Sequence, residues 1–548
     1  MAADLLLPAP LSAHGRGGAF LLRAGTAVTV DDPALLPLGR LLVERIAAGT
    51  GIRLAAPEVA ADLPPGSGAG VRLALDGADA ALTGVPAARG VSPSGAPLDG
   101  ERFAIDVDEQ RIRLIGSAPA GLHHAVTVLT ALAEQAEPGA EGISIPTLAL
   151  ADGPELAWRG LSFDVVRHAF AVEEVRTVID LLARYRMNVL HLHLTDDQGW
   201  RVEIPTRPAL TPDGSRFFTT DEYRSIIAYA AERHITVIPE IDMPGHSGTA
   251  ISAYPELCRS GVAQPVYADP MEAVARMAAD GFTPQYLDPE KDEVWAFVDD
   301  VIGAIAALTP GPFLHIGGDE AFGMPPELHT AFVKRAREIV RAHGKEPVGW
   351  QETSRADPGS DADGPLVQLW IGENALPSDP EHPLLQMLPP QLIELFATTF
   401  AEAADDPRRL IAQRARVIMS RTDLAYLDTP YAESSPDPEA EARRARVGMP
   451  GYPAATVERF ATAPIPGLDA ETDLDVIGFE AAIWCETVQS FDDLTFLLLP
   501  RLPVLAERAW NAGPARDWEG LRTRLAAQSP VWRRDGLTYF PAPSVDWR

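Results

Sequence analysis

From Trp158 onward the chain repeats one unit: a short apolar run, a loop, then a stretch with the apolar spacing of a helix. Strand candidates fall at 161–165, 189–194, 236–241, 313–316, 347–350, 366–370, 416–419 and 477–483. Helical stretches separate most of them; 173–186, for example, sets Val175, Val178, Ile179 and Leu182 on one face. Parallel strands need long crossovers, usually helices. Eight strands alternating with helices therefore predict an α/β chain that closes into a (β/α)8 TIM barrel. No short period suggests a solenoid. The barrel is expected over 156–548, with a partly helical insertion near 372–413 and a helical, docking tail from 510.

Residues 1–155 read as a separate, small α+β supporting domain. Strands are expected at 19–30 and 71–75, helices at 35–48 and 121–135, and a loop at 56–70. A hairpin is expected from 103–107 and 111–115 around Asp108-Glu109-Gln110. The stretch 136–154 reads as linker plus a short strand. Nothing here concentrates catalytic residue types.

Composition excludes several partners. A net charge of −31 over 548 residues leaves no basic surface for nucleic acid or an anionic membrane. Two cysteines, Cys258 and Cys485, are too few for a disulfide framework or a thiolate metal site. No apolar run reaches the ~18 residues of a membrane span. The first residues lack the basic, uninterrupted apolar pattern of a secretory signal, so a cytoplasmic location is expected.

In such a barrel the chemistry gathers where strands end. Those positions carry Asp164 and Arg167-His168, then Thr195 to Trp200, Asp242 to His246, and Gly317-Gly318-Asp319-Glu320. They continue with Trp350, Trp370, Tyr426 with Asp428, and Trp484-Cys485-Glu486. Aromatic faces stack on the C–H face of a sugar, while charged groups bond its hydroxyls. Adjacent residues of a strand face opposite ways, so Asp319 and Glu320 can share a pocket only if the backbone turns, which Gly317-Gly318 permits.

The motifs DVVRH (164–168), HLHLTDDQGWR (191–201), PEIDMPGH (239–246), HIGGDE (315–320), GWQE (349–352), QLW (368–370), YLD (426–428) and WCE (484–486) resemble those of family 20 glycoside hydrolases, the β-N-acetylhexosaminidases. The resemblance covers roughly 158–511, in order, and the N-terminal unit is similar to the small domain that precedes the barrel in that family. It implies an exo-acting, retaining enzyme in which the substrate's own 2-acetamido oxygen is the nucleophile. By resemblance Glu320 is the general acid/base and Asp319 orients the acetamido group. Tyr426 bonds the acetamido oxygen, and Asp196 and His246 form a chain to Glu320. Trp350, Trp370 and Trp484 wall the pocket, while Arg167, Glu486 and Asp428 hold hydroxyls. The implied partners are β-N-acetylhexosaminide oligosaccharides or glycoconjugates, with no cofactor and no metal. The insertion between Trp370 and Tyr426 and the stretch 431–459 depart from the family pattern, both on the active-site face.

Other readings attach to the same residues. His191 and His193 alternate on one strand and could be metal ligands, or buried supports for carboxylates. Trp158 and Trp200 read as structural, Cys485 as packed away from the pocket, and Asp197 and Asp242 as supports for loop backbone or contacts to substrate. A silent sugar-binding barrel would have lost Asp319 or Glu320. A disaccharide-releasing enzyme would need an opening where Arg167 and Glu486 are expected to close the pocket.

Overall fold

The computed structural model of the chain describes residues 2–60, 69–267, 272, 276, 283–358, 363–372, 390–511 and 517–548. From Trp158 onward it is built on a closed parallel barrel of eight strands. These are β1 (Trp158–Asp164), β2 (Val189–His193), β3 (Thr236–Glu240), β4 (Phe313–His315), β5 (Glu346–Trp350), β6 (Leu366–Leu369), β7 (Arg416–Met419) and β8 (Asp475–Ile483). Neighbours in sequence are neighbours in the sheet, and β8 closes on β1, pairing Gly478 with Trp158 and Ile483 with Phe163.

The helices form the outer layer because each carries one apolar stripe. On Val172–Arg184, Val175, Val178, Ile179 and Leu182 are all fully buried, as the sequence spacing predicts. Each such side chain contributes roughly 1.5–3 kcal/mol on leaving water. After β5 the described residues of the crossover form one 3-10 turn, Gln351–Arg355. Part of the expected insertion, 373–389, lies outside the described residues; its remainder forms helices Pro390–Ala403 and Asp406–Ala412. Beyond Trp510 the tail adds helices Trp518–Ala526 and Ser529–Arg534. Phe540 then stacks on Tyr431 at 3.9 Å between ring centres.

The N-terminal unit is a mixed sheet of the strands at 12–22, 142–152, 103–107, 111–116, 70–75, 27–30 and 58–59, in that order. Helices Leu36–Thr50 and Pro119–Gln135 share a core with it. Three expectations need correction. The segment read as loop, 56–70, contains a short strand, Glu58–Val59, paired with Thr29 and Val30. The segment read as one strand, 19–30, is two, Ser12–Leu22 and Ala27–Val30, separated by a turn in which Gly25 takes φ +76°. The segment read as linker plus short strand is an eleven-residue strand, Gly142–Asp152, in the interior of the sheet between Ser12–Leu22 and Phe103–Val107. Ile143, Ile145, Leu148 and Leu150 are buried. The alternation slips at Pro146-Thr147, opposite the irregular register between Gly15 and Ala19 of the paired strand, and this hides the pattern in the sequence.

This unit is locked to the underside of the barrel by buried charge. Arg186, in left-handed backbone just before β2, reaches Asp152 at 2.5 Å and the Pro8 carbonyl, with its guanidinium 4.2 Å from the Trp510 ring centre. Arg159 of β1 reaches Glu101 at 2.6 Å.

Candidate active site

The barrel interior below the site is polar. Glu240, at the end of β3, takes His193 Nδ1 at 2.7 Å and Trp350 Nε1 at 2.7 Å; His191 Nε2 and His315 Nδ1 each lie 3.1 Å away. Glu480 of β8 takes His191 Nδ1 at 2.8 Å, Trp158 Nε1 at 2.9 Å and Gln368 Nε2 at 3.0 Å. Burial opposes charge on the histidines, but Glu240 and Glu480 raise His191 to about 9, and Glu240 and Asp196 raise His193 to about 10. His191 and His193 are therefore supports for carboxylates, and Trp158 is structural. So is Trp200, buried with its Nε1 donating to the Val202 carbonyl at 2.8 Å.

Above this floor the loop after β4 turns sharply. Gly317 and Gly318 have φ of +66° and +104°, and Glu320 itself stands at +45°. A Cβ on Gly317 would sit 1.7 Å from Asp242 Oδ1, so no side chain fits there. Asp242 Oδ1 accepts the Gly318 N–H at 3.3 Å, which makes Asp242 a support for this loop. Asp197 serves the neighbouring loop, accepting the Gly248 N–H at 2.7 Å. The turn brings both acids beside His246, whose Nε2 lies 3.5 Å from Glu320 Oε2 and 3.7 Å from Asp319 Oδ2. His246 Nδ1 meets Asp196 Oδ1 at 3.2 Å, so the chain Asp196–His246–Glu320 is continuous.

The electrostatics of these groups diverge. Burial and then Asp242 push Asp319 well above the carboxylate range, and its Oδ1 is buried with no hydrogen-bond partner among the described residues. Burial opposes charge on Asp196 too, but Arg167, His246 and His193 hold it well below that range. Burial likewise opposes charge on His246, yet Asp196 and Asp242 hold it well above the imidazole range.

The remaining expected residues complete the wall. Arg167 reaches Asp196 at 2.6 Å and Glu486 at 4.0 Å, and its guanidinium lies 5.4 Å from the Trp484 ring centre. Trp484 stands 5.9 Å from Trp350 and 6.0 Å from Tyr426, and Trp370 belongs to the same aromatic cluster. Asp428 is buried, neither carboxylate oxygen has a partner among the described residues, and burial with Glu486 pushes it up. The eleven expected residues thus form one connected cluster of contacts at the strand ends. Asp164 is a brace: Oδ1 accepts the Val166 N–H at 2.7 Å and Oδ2 the Cys485 N–H at 3.0 Å, and Cys485 is buried.

Three participants carry no role in the sequence reading. Tyr452, from the Pro- and Glu-rich stretch, places its ring 6.2 Å from Tyr426. Glu352 accepts from Trp370 Nε1 at 3.0 Å and is raised to about 7, chiefly by burial. Glu240 could have been flagged, as an acid inside an apolar strand; Tyr452 offers no such signal. As for ligands, Asp242, His246 and Asp319 bring one donor atom each within 4.8 Å of one another, as do His191, Glu240 and His315.

A (β/α)8 barrel whose strand ends gather an acid pair, an arginine and four aromatic walls defines a glycoside hydrolase. The model of the glycosyl hydrolase family 20 catalytic domain matches residues 156–381 and 394–513, and that of family 20 domain 2 matches 5–153. The chain belongs to glycosyl hydrolase family 20. It is 34% identical over 545 residues to a beta-N-acetylhexosaminidase of Cellulomonas fimi, covering 97% of this chain and 94% of that one. Among solved structures it resembles the family 20 beta-N-acetylhexosaminidase of Streptomyces coelicolor A3(2), with 32% identity and a TM-score of 0.77 over 100% of this chain and 99% of the other. A mutant Streptomyces plicatus beta-hexosaminidase in complex with its product GlcNAc is equally similar, with 32% identity, a TM-score of 0.77 and 98% of that chain covered.

Proposed function

We propose that this chain is an exo-acting β-N-acetylhexosaminidase that removes terminal β-linked GlcNAc or GalNAc with retention, using the substrate's acetamido oxygen as nucleophile. The observation that carries this reading is the buried, unpartnered Oδ1 of Asp319, set beside Glu320 under an aromatic wall. An acetamido N–H supplies the donor that oxygen lacks.

In the first step the acetamido carbonyl oxygen attacks the anomeric carbon as the glycosidic bond breaks. Glu320 gives its proton to the departing oxygen, and the chain through His246 to Asp196 tunes its protonation. Positive charge grows on the acetamido nitrogen, and Asp319 faces it; that charge favours the ionised carboxylate against the burial that raises it, and a group placed where charge develops stabilises the transition state. Tyr426 donates to the acetamido oxygen. In the second step Glu320 takes a proton from water, which attacks the same face from which the leaving group departed and opens the oxazolinium ring. Arg167, Glu486 and Asp428 hold the ring hydroxyls and close the pocket, which favours single-sugar release over release of a disaccharide. Oligosaccharides or glycoconjugates bearing a terminal N-acetylhexosamine are the substrates of this proposal.

Side-by-side hydrolysis of aryl β-GlcNAc, β-GalNAc and β-glucoside tests it. The glucoside, having no acetamido group, should be essentially inert, and NMR immediately after turnover should show the β product. A thiazoline analogue should bind much more tightly than GlcNAc, with Asp319→Asn losing that preference while sparing GlcNAc. Glu320→Gln should cost on the order of 10²–10⁴ in rate with a poor leaving group and less with an activated one. An α product, or a glycosyl ester trapped on any enzyme carboxylate, would overturn the mechanism.

A further inference from the structure

The chain that ends at Glu320 does not begin at Asp196. Asp196 Oδ2 accepts two bonds at once, from Arg167 at 2.6 Å and from His193 Nε2 at 2.9 Å, while Oδ1 meets His246. His193 Nδ1 in turn meets Glu240 Oε2 at 2.7 Å. Both ring nitrogens of His193 therefore face carboxylate oxygens, and each bond needs its own proton, so the ring is a buried imidazolium. One carboxylate is thus shared by a fixed cation from the barrel interior and by the arginine at the sugar's hydroxyls.

We propose that His193, held by Glu240, is a positioning residue for proton delivery, and that it and Arg167 both act on the general acid through the single carboxylate of Asp196. This rests on the reading of Glu320 as general acid. Both cations share Asp196. When Arg167 turns part of its bonding to sugar hydroxyls, His193 keeps Asp196 ionised and aimed at His246, so the general acid does not lose its orientation as substrate arrives. The charged groups around this path are few. His193 faces Glu240 and Asp196, with the Trp484 ring edge-on at 5.2 Å. Arg167 also faces Asp164, Glu486 and Asp197, and Asp197 stands beside Asp196 and His246 as well. His246 also faces Asp242 and the two acids of the site.

The charge of His193 gives the experiment its sign. A cation near the His246–Glu320 pair weakens that pair's hold on its deliverable proton. His193→Gln removes the cation, so the alkaline limb of kcat/KM against pH should move upward, by about one unit for a loss worth tenfold. The rate on a poor leaving group should fall about 10- to 100-fold, as for one charged hydrogen bond, with a smaller fall on an activated aryl leaving group. Glu240→Gln removes an anion and the imidazolium it sustains together, so the limb should move the same way but less far. Equal losses on both leaving groups with an unmoved limb would make His193 merely structural and overturn the proposal. Should neither variant fold, the assigned His193 ring of the wild-type enzyme labelled with ¹⁵N-histidine decides: a doubly protonated His193 at neutral pH supports the proposal, and a neutral His193 overturns it. A leaving-group dependence kept in Glu320→Gln but missing in His193→Gln fails this inference alone; its absence in Glu320→Gln fails the general-acid reading instead.

Discussion

Each of the two cores buries a pair of histidines, and shifts their protonation in opposite directions. His123 and His124 lie on helix Pro119–Gln135 of the N-terminal unit, fully enclosed, where burial and then Arg45 push His123 well down and burial brings His124 to about 4. His191 and His193 lie on β2, equally enclosed, yet stand at about 9 and about 10 because Glu240, Glu480 and Asp196 face them. Burial is the same in both places; the neighbours decide. An apolar core needs neutral rings, and its residues serve packing alone. A core filled by Glu240, Glu480 and imidazolium is rigid through directed bonds, and these orient side chains at the rim to the precision that catalysis requires.

The sharpest way to break this contrast is to remove one carboxylate from the polar core. Glu240→Leu should leave His193, His191, His315 and Trp350 without the carboxylate they share and cost about 3–5 kcal/mol of stability. Urea unfolding would measure that, and activity should fall with it. Its counterpart in the apolar core is Leu114→Ala at a fully buried position, expected to cost about 2–5 kcal/mol while leaving the pH profile of turnover unmoved. A shifted profile in Leu114→Ala would mean the two cores are not separate in function.

A smaller effect separates the arginines of the two regions. Arg167→Lys keeps charge but loses the planar fork, and should lower kcat/KM by roughly 1.5–3 kcal/mol. Arg72→Lys, at a partly exposed pair with Asp31 in the N-terminal sheet, should leave kcat/KM unchanged.

The smallest expected effect is a pH dependence of opposite sign in the two cores. His191 and His193 are raised, so their contribution is complete below the ordinary value of 6.5 and is lost as pH rises through about 9 and about 10. His124 is lowered, so its contribution is complete above 6.5 and is lost as pH falls toward about 4. The melting temperature should therefore fall on both sides of neutrality. Hydrogen exchange should place the alkaline loosening in the barrel and the acid loosening in helix Pro119–Gln135; the reverse assignment would overturn the comparison.

What the sequence could reveal follows the range of each interaction. The turn before Asp319 was legible because glycine is a local signal, and the two φ angles there are those only glycine tolerates cheaply. The helix stripes were legible because their period is local. The supporting role of His191 and His193 was legible in kind, but their partners were not: His193 meets Glu240 from 47 positions away, and His191 meets Glu480 from 289. Strand Gly142–Asp152 was lost where Pro146-Thr147 interrupts its alternation. Tyr452 was lost because a Pro- and Glu-rich stretch has no period to read, and its place is set by packing against Tyr426.

The clasp formed by Arg186, Asp152 and Trp510 bears on how the enzyme could be cut down for practical use. The barrel holds every proposed catalytic group, so a shortened version beginning after Asp152 is the obvious economy. Such a version would leave the Arg186 guanidinium, 2% exposed, without its carboxylate, and would bare the apolar face around Trp510. A partner side chain restored by design at that surface, rather than deletion alone, is what miniaturising this enzyme calls for.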